Sequence, residues 1–434
     1  MIIAANIVLP VGTSPIEHGA VVIEGERIKA VGSREGILAT YQGRRLVDFG
    51  HAIIMPGLVN AHTHLEYTAQ GPLNEPRPFL PWIQSLGRTG RELSREDLRR
   101  SATHGAQLLL KAGVTCVGDI VTFGPGLEAA LEVGLRGVSY IEALGLRGED
   151  LRPQMAAIDE RLRWAEQQAE GSSLRVGISP HSVYVTSTKA LVDLGRLADD
   201  QQVPVAMHLA ETRAECQFVR TGDGDLAEML KVIADHDLIA SGGCGISPVE
   251  HVARCGLTRR EQTLMVHCVH LAQTDIALLA TSGVGIALCP RSNFLLQVGE
   301  APVLELFQAG VRIGLGTDSL ASNLDLDLFA EMRALRELCQ QQAHTKPEPA
   351  AVPTARELLR SATLTGAEIL GMDGDVGSLE PGKLADLAVV RLPEGDVGNP
   401  EEWLVTKAQG SDILCTMIGG EPVYQAVPHL PLFS

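Results

Sequence analysis

The chain has 434 residues, 45% of them hydrophobic and 21% charged, a composition that excludes disordered and fibrous classes and supports a sizeable core. Lys plus Arg number 36 against 53 Asp plus Glu, a net charge of −17, so the mean field repels nucleic-acid phosphates and anionic membranes, and neither is an expected partner. The opening MIIAANIVLPVGTS has no cationic region or small-residue cleavage site, and no stretch reaches about 18 apolar residues. The eight cysteines, Cys116, Cys216, Cys244, Cys255, Cys268, Cys289, Cys339 and Cys415, contain no C-x-x-C pair. A cytoplasmic protein with reduced thiols is expected.

Residues 1–51 carry VVIEGERIKAVG and RRLVDFG, which alternate like antiparallel strands with turns at Gly25 and Gly32. From residue 52 to 322, eight apolar runs alternate with helical patterns. They are AIIMPGLVNAHTH, VTCVGDI, RGVSYIEAL, LRVGISPHS, VPVAMHLAE, TLMVHCVHL, VGIALCP and RIGLGTDS. One intervening helix, LSREDLRRSATHGAQLLLKAG, opens at Ser94 with Asp97 three residues later and ends at Gly113, the spacing of a capped N-terminus and a glycine stop. Apolar strands each followed by a helix imply a parallel sheet covered on its outer face, and eight such units can close into a barrel. The Gly-rich stretch 235–262, between the fifth and sixth runs, reads either as a lid or pocket wall or as an ordinary surface excursion. Residues 374–434 contain the hairpin-like GSLEPGKLADLAVVRL and ILCTMIGGEPVYQ. Neither flank can build a large core alone. The predicted fold is α/β: a (β/α)8 TIM-type barrel over residues 56–370, with a small β-sandwich formed by both termini, residues 1–55 and 371–434.

In such a barrel the C-terminal ends of the strands open on one mouth. Those ends carry His62 and His64 on strand one, His181 on four, His208 with Glu211 on five, His267 and His270 on six, and Asp318 on eight. Side chains two apart on an extended strand point the same way, so His62 and His64 converge. Taken singly, each histidine also reads as a satisfied polar residue, and Asp318 or Glu211 as a helix cap. Their common register points instead to a metal site. Three imidazoles and one carboxylate suit Zn²⁺, with Fe²⁺ also compatible, and leave room for a water whose pKa falls to about 7.

The pieces PGLVNAHTH, HLAE, VHCVHL, CPRSN, GLGTDS and GSLEPGKLADLAVV together resemble the amidohydrolase superfamily along nearly the whole chain, in its single-metal deaminase branch. The resemblance implies a distorted barrel with one Zn²⁺ per subunit held by His62, His64, His208 and Asp318. It further implies attack of an activated water on the amine-bearing ring carbon, with Glu211 protonating the adjacent ring nitrogen. Asp318 would take the water proton and deliver it to departing ammonia, and His267 would hydrogen-bond the attacking oxygen. Strand four, GISPHSVY, lacks the lysine of the two-metal branches, and the resemblance makes His181 a substrate contact.

The first loop, HLEYTAQGPLNEPRPFLPWIQSLGRTGREL, is similar to that of the aminodeoxyfutalosine deaminases of the alternative menaquinone route. The reaction this implies is conversion of 6-amino-6-deoxyfutalosine to futalosine. The alternative group, deaminases of S-adenosylhomocysteine and 5′-methylthioadenosine, carries an arginine on strand three that VSYIEALG lacks. A triazine dechlorinase and a non-catalytic scaffold barrel are further readings, opposed by Glu211 and by the intact ligand set respectively. Phe79, Pro81 and Trp82 are candidates for an apolar wall against a ring, although aromatic residues at this spacing also suit core packing. Trp82 is the candidate substrate contact among them, and Glu66 or Arg88 the candidates for polar groups. The expected partner is a small-molecule substrate, and the resemblance implies a homo-oligomer.

Overall fold

The computed structural model describes residues 1–231, 236–259, 262–347, 349–395 and 397–426. The eight apolar runs supply a sheet of eight parallel strands, hydrogen-bonded in chain order. Barrel strands one to eight are Leu58–Thr63, Val114–Val121, Arg136–Ala143, Leu174–Pro180, Val205–Leu209, Thr263–His267, Gly285–Leu288 and Arg312–Leu315. Alternation sorts their side chains. Val138, Tyr140, Ala206, Leu264 and Val266 share one inner cluster, whereas Ile141, Val205, Met207 and Met265 belong to the larger core beneath the helices. Burial on both faces is why these runs are almost continuously apolar.

Strand eight returns to strand one through a single parallel bridge, Thr63 to Asp318. The Asp318 N–H donates to the His62 carbonyl at 3.1 Å. The Asn60 amide donates to Thr317 Oγ1 at 2.7 Å and accepts the Thr317 N–H at 3.0 Å. Closure of the barrel therefore carries Asp318 to the strand-one histidines.

Both termini contribute to a second, mixed sheet of eight strands. Its order is Glu421–Gln425, Ile413–Ile418, Leu387–Arg391, Ala52–Pro56, Ile2–Val8, Ile16–Glu24, Arg27–Ser33, with Leu46–Asp48 beside Ile2–Val8. On one face Ile3, Val21, Ile54, Leu387, Val389 and Cys415 build a core of their own. On the other, Ile53, Met55, Ala388 and Val390 join the barrel's outer core. The alternation thus fastens the sheet to the barrel side.

Several local expectations are corrected. Gly25 turns with φ +59°, but Gly32 lies inside Arg27–Ser33, paired with Ala20. Leu46–Asp48 pairs parallel, not antiparallel, with Ile2–Val8, because the helix Arg34–Thr40 carries the chain back before it re-enters the sheet. The run 52–64 is two strands in two sheets. The break falls at Gly57, where a Cβ would stand 2.1 Å from Thr115 Oγ1. The helix Arg95–Lys111 starts as expected, with the Ser94 and Asp97 side chains each capping the other's backbone N–H.

Of the stretch 235–262, residues 235, 260 and 261 lie outside the described residues. The rest forms helices Asp237–Ser241 and Pro248–Arg254 and a 3-10 turn at Leu257–Arg259, with Val249, Val252 and Leu257 buried in the outer core. It is a packed part of the helical layer. Among the described residues no helix is long and apolar enough to cross a membrane, and all eight cysteines are free, six of them buried.

Gly137, in barrel strand three, has φ +117°, and a Cβ there would lie 1.9 Å from the Val117 carbonyl oxygen on strand two. Neither the backbone angle nor the space admits a side chain. Gly137→Ala is expected to lower unfolding free energy by at least about 2 kcal/mol, measured by denaturant titration.

Candidate active site

Apart from His270, the histidines and acids predicted at the strand ends gather at one mouth. His62 lies on strand one and His64 just past its end, their ring centroids 4.9 Å apart. His64 Nε2 is 3.3 Å from His208 Nε2. Asp318 Oδ1 lies 3.5 Å from His62 Nε2 and 3.6 Å from His64 Nε2. All four residues are buried.

A divalent cation fits this donor set. Among the described residues, both ring nitrogens of His62 and Nδ1 of His64 are buried without a hydrogen-bond partner, an arrangement that costs free energy unless something else satisfies them. Nitrogens bound at 2.0–2.1 Å around a tetrahedral ion stand about 3.3 Å apart, close to the His64–His208 separation. The donor atoms of His62, His64 and Asp318 lie within 4.8 Å of one another, as do those of His62, His208 and His267. Burial, reinforced by neighbouring His62, pushes the His64 imidazole down to about 3. Burial and the charges of His181 and His62 hold His208 well below its usual range. Both rings are therefore neutral near pH 7, the form that binds metal.

Outer contacts aim these ligands. His208 Nδ1 is 2.9 Å from the His181 carbonyl, so Nδ1 carries the proton and Nε2 faces the cluster. Asp318 Oδ2 accepts from Ser292 Oγ and from Ser322 Oγ, both at 2.7 Å, which leaves Oδ1 for the histidines. Burial alone would raise the Asp318 carboxyl, but the His62 ring nitrogen 3.5 Å away and the surrounding imidazoles hold it well below the usual carboxylate range. Asp318 has φ +55° and His267 φ +69°. These uncommon backbone angles for residues with side chains persist because barrel closure and the surrounding bonds over-determine them. The double variant Ser292→Ala/Ser322→Ala is expected to bind metal about 10- to 100-fold more weakly, read by competition with a chromogenic chelator.

Glu211 and His267 complete the cluster. His267 Nδ1 lies 2.9 Å from Asn293 Oδ1, which turns Nε2 toward Glu211 Oε1 at 3.6 Å. Burial drives the Glu211 carboxyl well above its ordinary value, and the negative charges of Asp318 and Glu215 add to this. The shift favours the protonated form of this carboxyl. The loop is braced by Glu215, whose two carboxylate oxygens accept the Ala210 and Glu211 N–H groups at 2.9 Å and 2.8 Å.

Other expectations fare differently. His181 is at the mouth, its ring centroid 4.7 Å from that of His208. His270 is not in the cluster, since its Nε2 bonds to the Val298 carbonyl at 2.7 Å and ties down a loop. Glu66 does not face a ligand: its two oxygens accept the N–H groups of Thr122, Phe123 and Gly126. Phe79 is buried in the core, and Pro81 and Arg88 are exposed. Trp82 donates its indole N–H to the Ala321 carbonyl at 2.9 Å. It lines a pocket of about 320 Å³ with Gln70, Arg77, Ser85 and Ala321, among others. That pocket borders the turns Leu65–Gln70 and Leu320–Ser322, the first directly after His64 and the second two residues after Asp318. None of the four candidate ligands is in its wall.

Ser292, Asn293, Ser322, Glu142 and Glu215 were not singled out from the sequence. The first two sit inside the motif CPRSN, which was the available signal. For the other three no local pattern pointed to the site.

Residues 53–423 match the model of the amidohydrolase family. A 5-methylthioadenosine/S-adenosylhomocysteine deaminase of Nitratidesulfovibrio vulgaris is 31% identical over 418 residues, covering 94% of this chain and 88% of its own. An adenosine deaminase from Xanthomonas campestris, solved with bound zinc, superposes with a TM-score of 0.84 at 27% identity, covering 99% of this chain and 95% of that one. The aminofutalosine deaminase of Helicobacter pylori, solved with methylthio-coformycin, shares the fold at 22% identity with a TM-score of 0.83, covering 98% of this chain and all of that one. With a mouth of buried imidazoles and carboxylates on a closed parallel sheet, and a family match over most of its length, the chain belongs to the amidohydrolase family and is a hydrolase acting on carbon–nitrogen bonds.

Proposed function

We propose that the protein hydrolytically deaminates the 6-amino group of a 5′-modified purine nucleoside, releasing ammonia. The observation that carries this reading is a buried Glu211, 3.6 Å from His267 and beside the His62–His64–His208–Asp318 cluster, where burial favours its acid form. Zinc is the ion we assign to that cluster; bound there it supplies a water acidic enough to react at neutral pH. The remaining chemistry belongs to side chains. Glu211 gives its proton to the ring nitrogen next to the amine-bearing carbon, so that negative charge need not build on the ring. Asp318 accepts a proton from the attacking water and passes it to the departing amine. His267, fixed by Asn293, hydrogen-bonds the incoming oxygen, and His181 meets the nucleoside.

Among 5′-modified nucleosides we place 6-amino-6-deoxyfutalosine first, and with it a role in menaquinone synthesis. Support comes from the first loop, where Trp82 and Ser85 of its F-x-x-W-I-x-S segment line the pocket bordering the turns after His64 and Asp318. 5′-Methylthioadenosine and S-adenosylhomocysteine form the second reading, favoured by the full-length relative at 31% identity. Eight free thiols suit the cytoplasm. The test is ammonia release by the zinc-loaded protein from these three compounds, adenosine and guanine. At least about a hundredfold preference in kcat/KM, roughly 2.7 kcal/mol of transition-state discrimination, is expected for 6-amino-6-deoxyfutalosine. Preference for the thio-nucleosides would replace the first substrate by the second, and no turnover of any would overturn the reading.

A further inference from the structure

Glu142 lies near the end of barrel strand three and is fully inside the protein, on the same side of the strand as the inward Val138 and Tyr140. No step above uses it. Its Oε1 is 2.6 Å from His181 Nδ1, and its Oε2 accepts the Thr122 hydroxyl at 2.6 Å. Thr122 Oγ1 is in turn 3.1 Å from the Tyr67 hydroxyl. Arg161 braces the segment from behind, donating to the carbonyls of Thr122 at 2.7 Å and Glu142 at 2.8 Å.

A proton inventory gives this chain a direction. An ionised carboxylate only accepts. Thr122 has one hydroxyl hydrogen and spends it on Oε2, so the Tyr67 O–H donates to Thr122. Oε1 can bond to His181 only if Nδ1 carries a proton. Among the described residues nothing bonds to His181 Nε2, and the side chain keeps 15% of its surface exposed at the mouth.

We propose that Glu142 is a positioning residue that holds the His181 imidazole in its Nδ1–H form and orientation, so that Nε2 is reserved for the substrate. The carboxylate fixes both the plane of the ring and the identity of the nitrogen that faces the mouth. Thr122 and Tyr67 keep the carboxylate from rotating away. The inference deepens the deaminase reading and rests on it for the word substrate, but the state of the ring can be observed without turnover.

The test uses zinc-loaded full-length protein and the isosteric Glu142→Gln. An amide can donate to Nδ1, which selects the opposite tautomer, as an Asp-to-Asn change does beside a catalytic histidine. Long-range nitrogen–proton spectra, with His181→Gln to assign the signal, should show a protonated Nδ1 in the wild type and an unprotonated one in Glu142→Gln. For the nucleoside the wild type turns over best, KM should rise about 10- to 100-fold with kcat within about threefold. Zinc content and melting temperature should stay unchanged. Thr122→Val, which removes the donor to Oε2 and the acceptor of the Tyr67 hydroxyl but leaves Oε1 and His181 in place, should move KM the same way by a smaller factor. A wild-type His181 with Nδ1 unprotonated, or a Glu142→Gln enzyme with wild-type KM, would overturn the proposal. If no nucleoside is turned over, the deaminase reading fails while the spectra still decide the role of Glu142.

Discussion

The Glu211→Gln enzyme is expected to keep its full complement of metal and to lose about 10²- to 10⁴-fold in kcat, the range of a general acid–base contribution. The substitution preserves shape and leaves the four candidate ligands untouched, so metal content separates loss of a proton donor from collapse of the site. A pH profile adds a second readout. Burial and the nearby carboxylates raise the Glu211 pKa, so the acid form persists above the ordinary carboxylate range and is lost as pH rises through the shifted value. The wild type should therefore show an alkaline limb in kcat/KM. Glu211→Gln has no proton to lose there and should not. Near-normal turnover by this variant would remove Glu211 from the mechanism.

Asp318→Asn is expected to be more severe, because one side chain serves two purposes. Turnover should fall by about 10⁴-fold, the upper end for a lost proton acceptor. Metal affinity should fall by at least about 100-fold, more than loss of a partner outside the ligand set costs. The reason lies in the contacts. Ser292 and Ser322 both donate to Oδ2 while Oδ1 faces His62 and His64. An amide cannot accept from both serines and also offer an anionic oxygen to the ion. Metal analysis after dialysis, paired with ammonia release, checks both parts. A stoichiometric metal load together with wild-type turnover would mean that Asp318 neither ligates nor moves the proton.

Much of the architecture was legible along the chain because its causes are local and periodic. Strands buried on both faces read as apolar runs, helices announce themselves by caps such as Ser94 with Asp97, and strand-end histidines mark the mouth of a parallel barrel. Glu66 and His270 show the limit. Each is a plausible site residue by position, Glu66 as a substrate contact and His270 as a strand-end histidine, yet Glu66 is consumed by three backbone N–H groups and His270 by the Val298 carbonyl. Hydrogen-bond demand in a folded neighbourhood has no signature in residue type.

By itself the sequence determined the alternation of strand and helix, the acidic surface charge and the positions of His62, His64, His208, Glu211, His267 and Asp318 at strand ends. Only the tertiary structure decided which atoms of these residues meet. The bonds that do so join residues far apart in the chain, as when Thr63 Oγ1 donates to the Asp318 carbonyl across 255 positions. The left-handed backbone angles at His267 and Asp318 likewise oppose local preference and are held by barrel closure. Propensity and pattern act over a few residues, whereas a site of this kind is set by long-range closure and by which donors remain unspent once the core has packed.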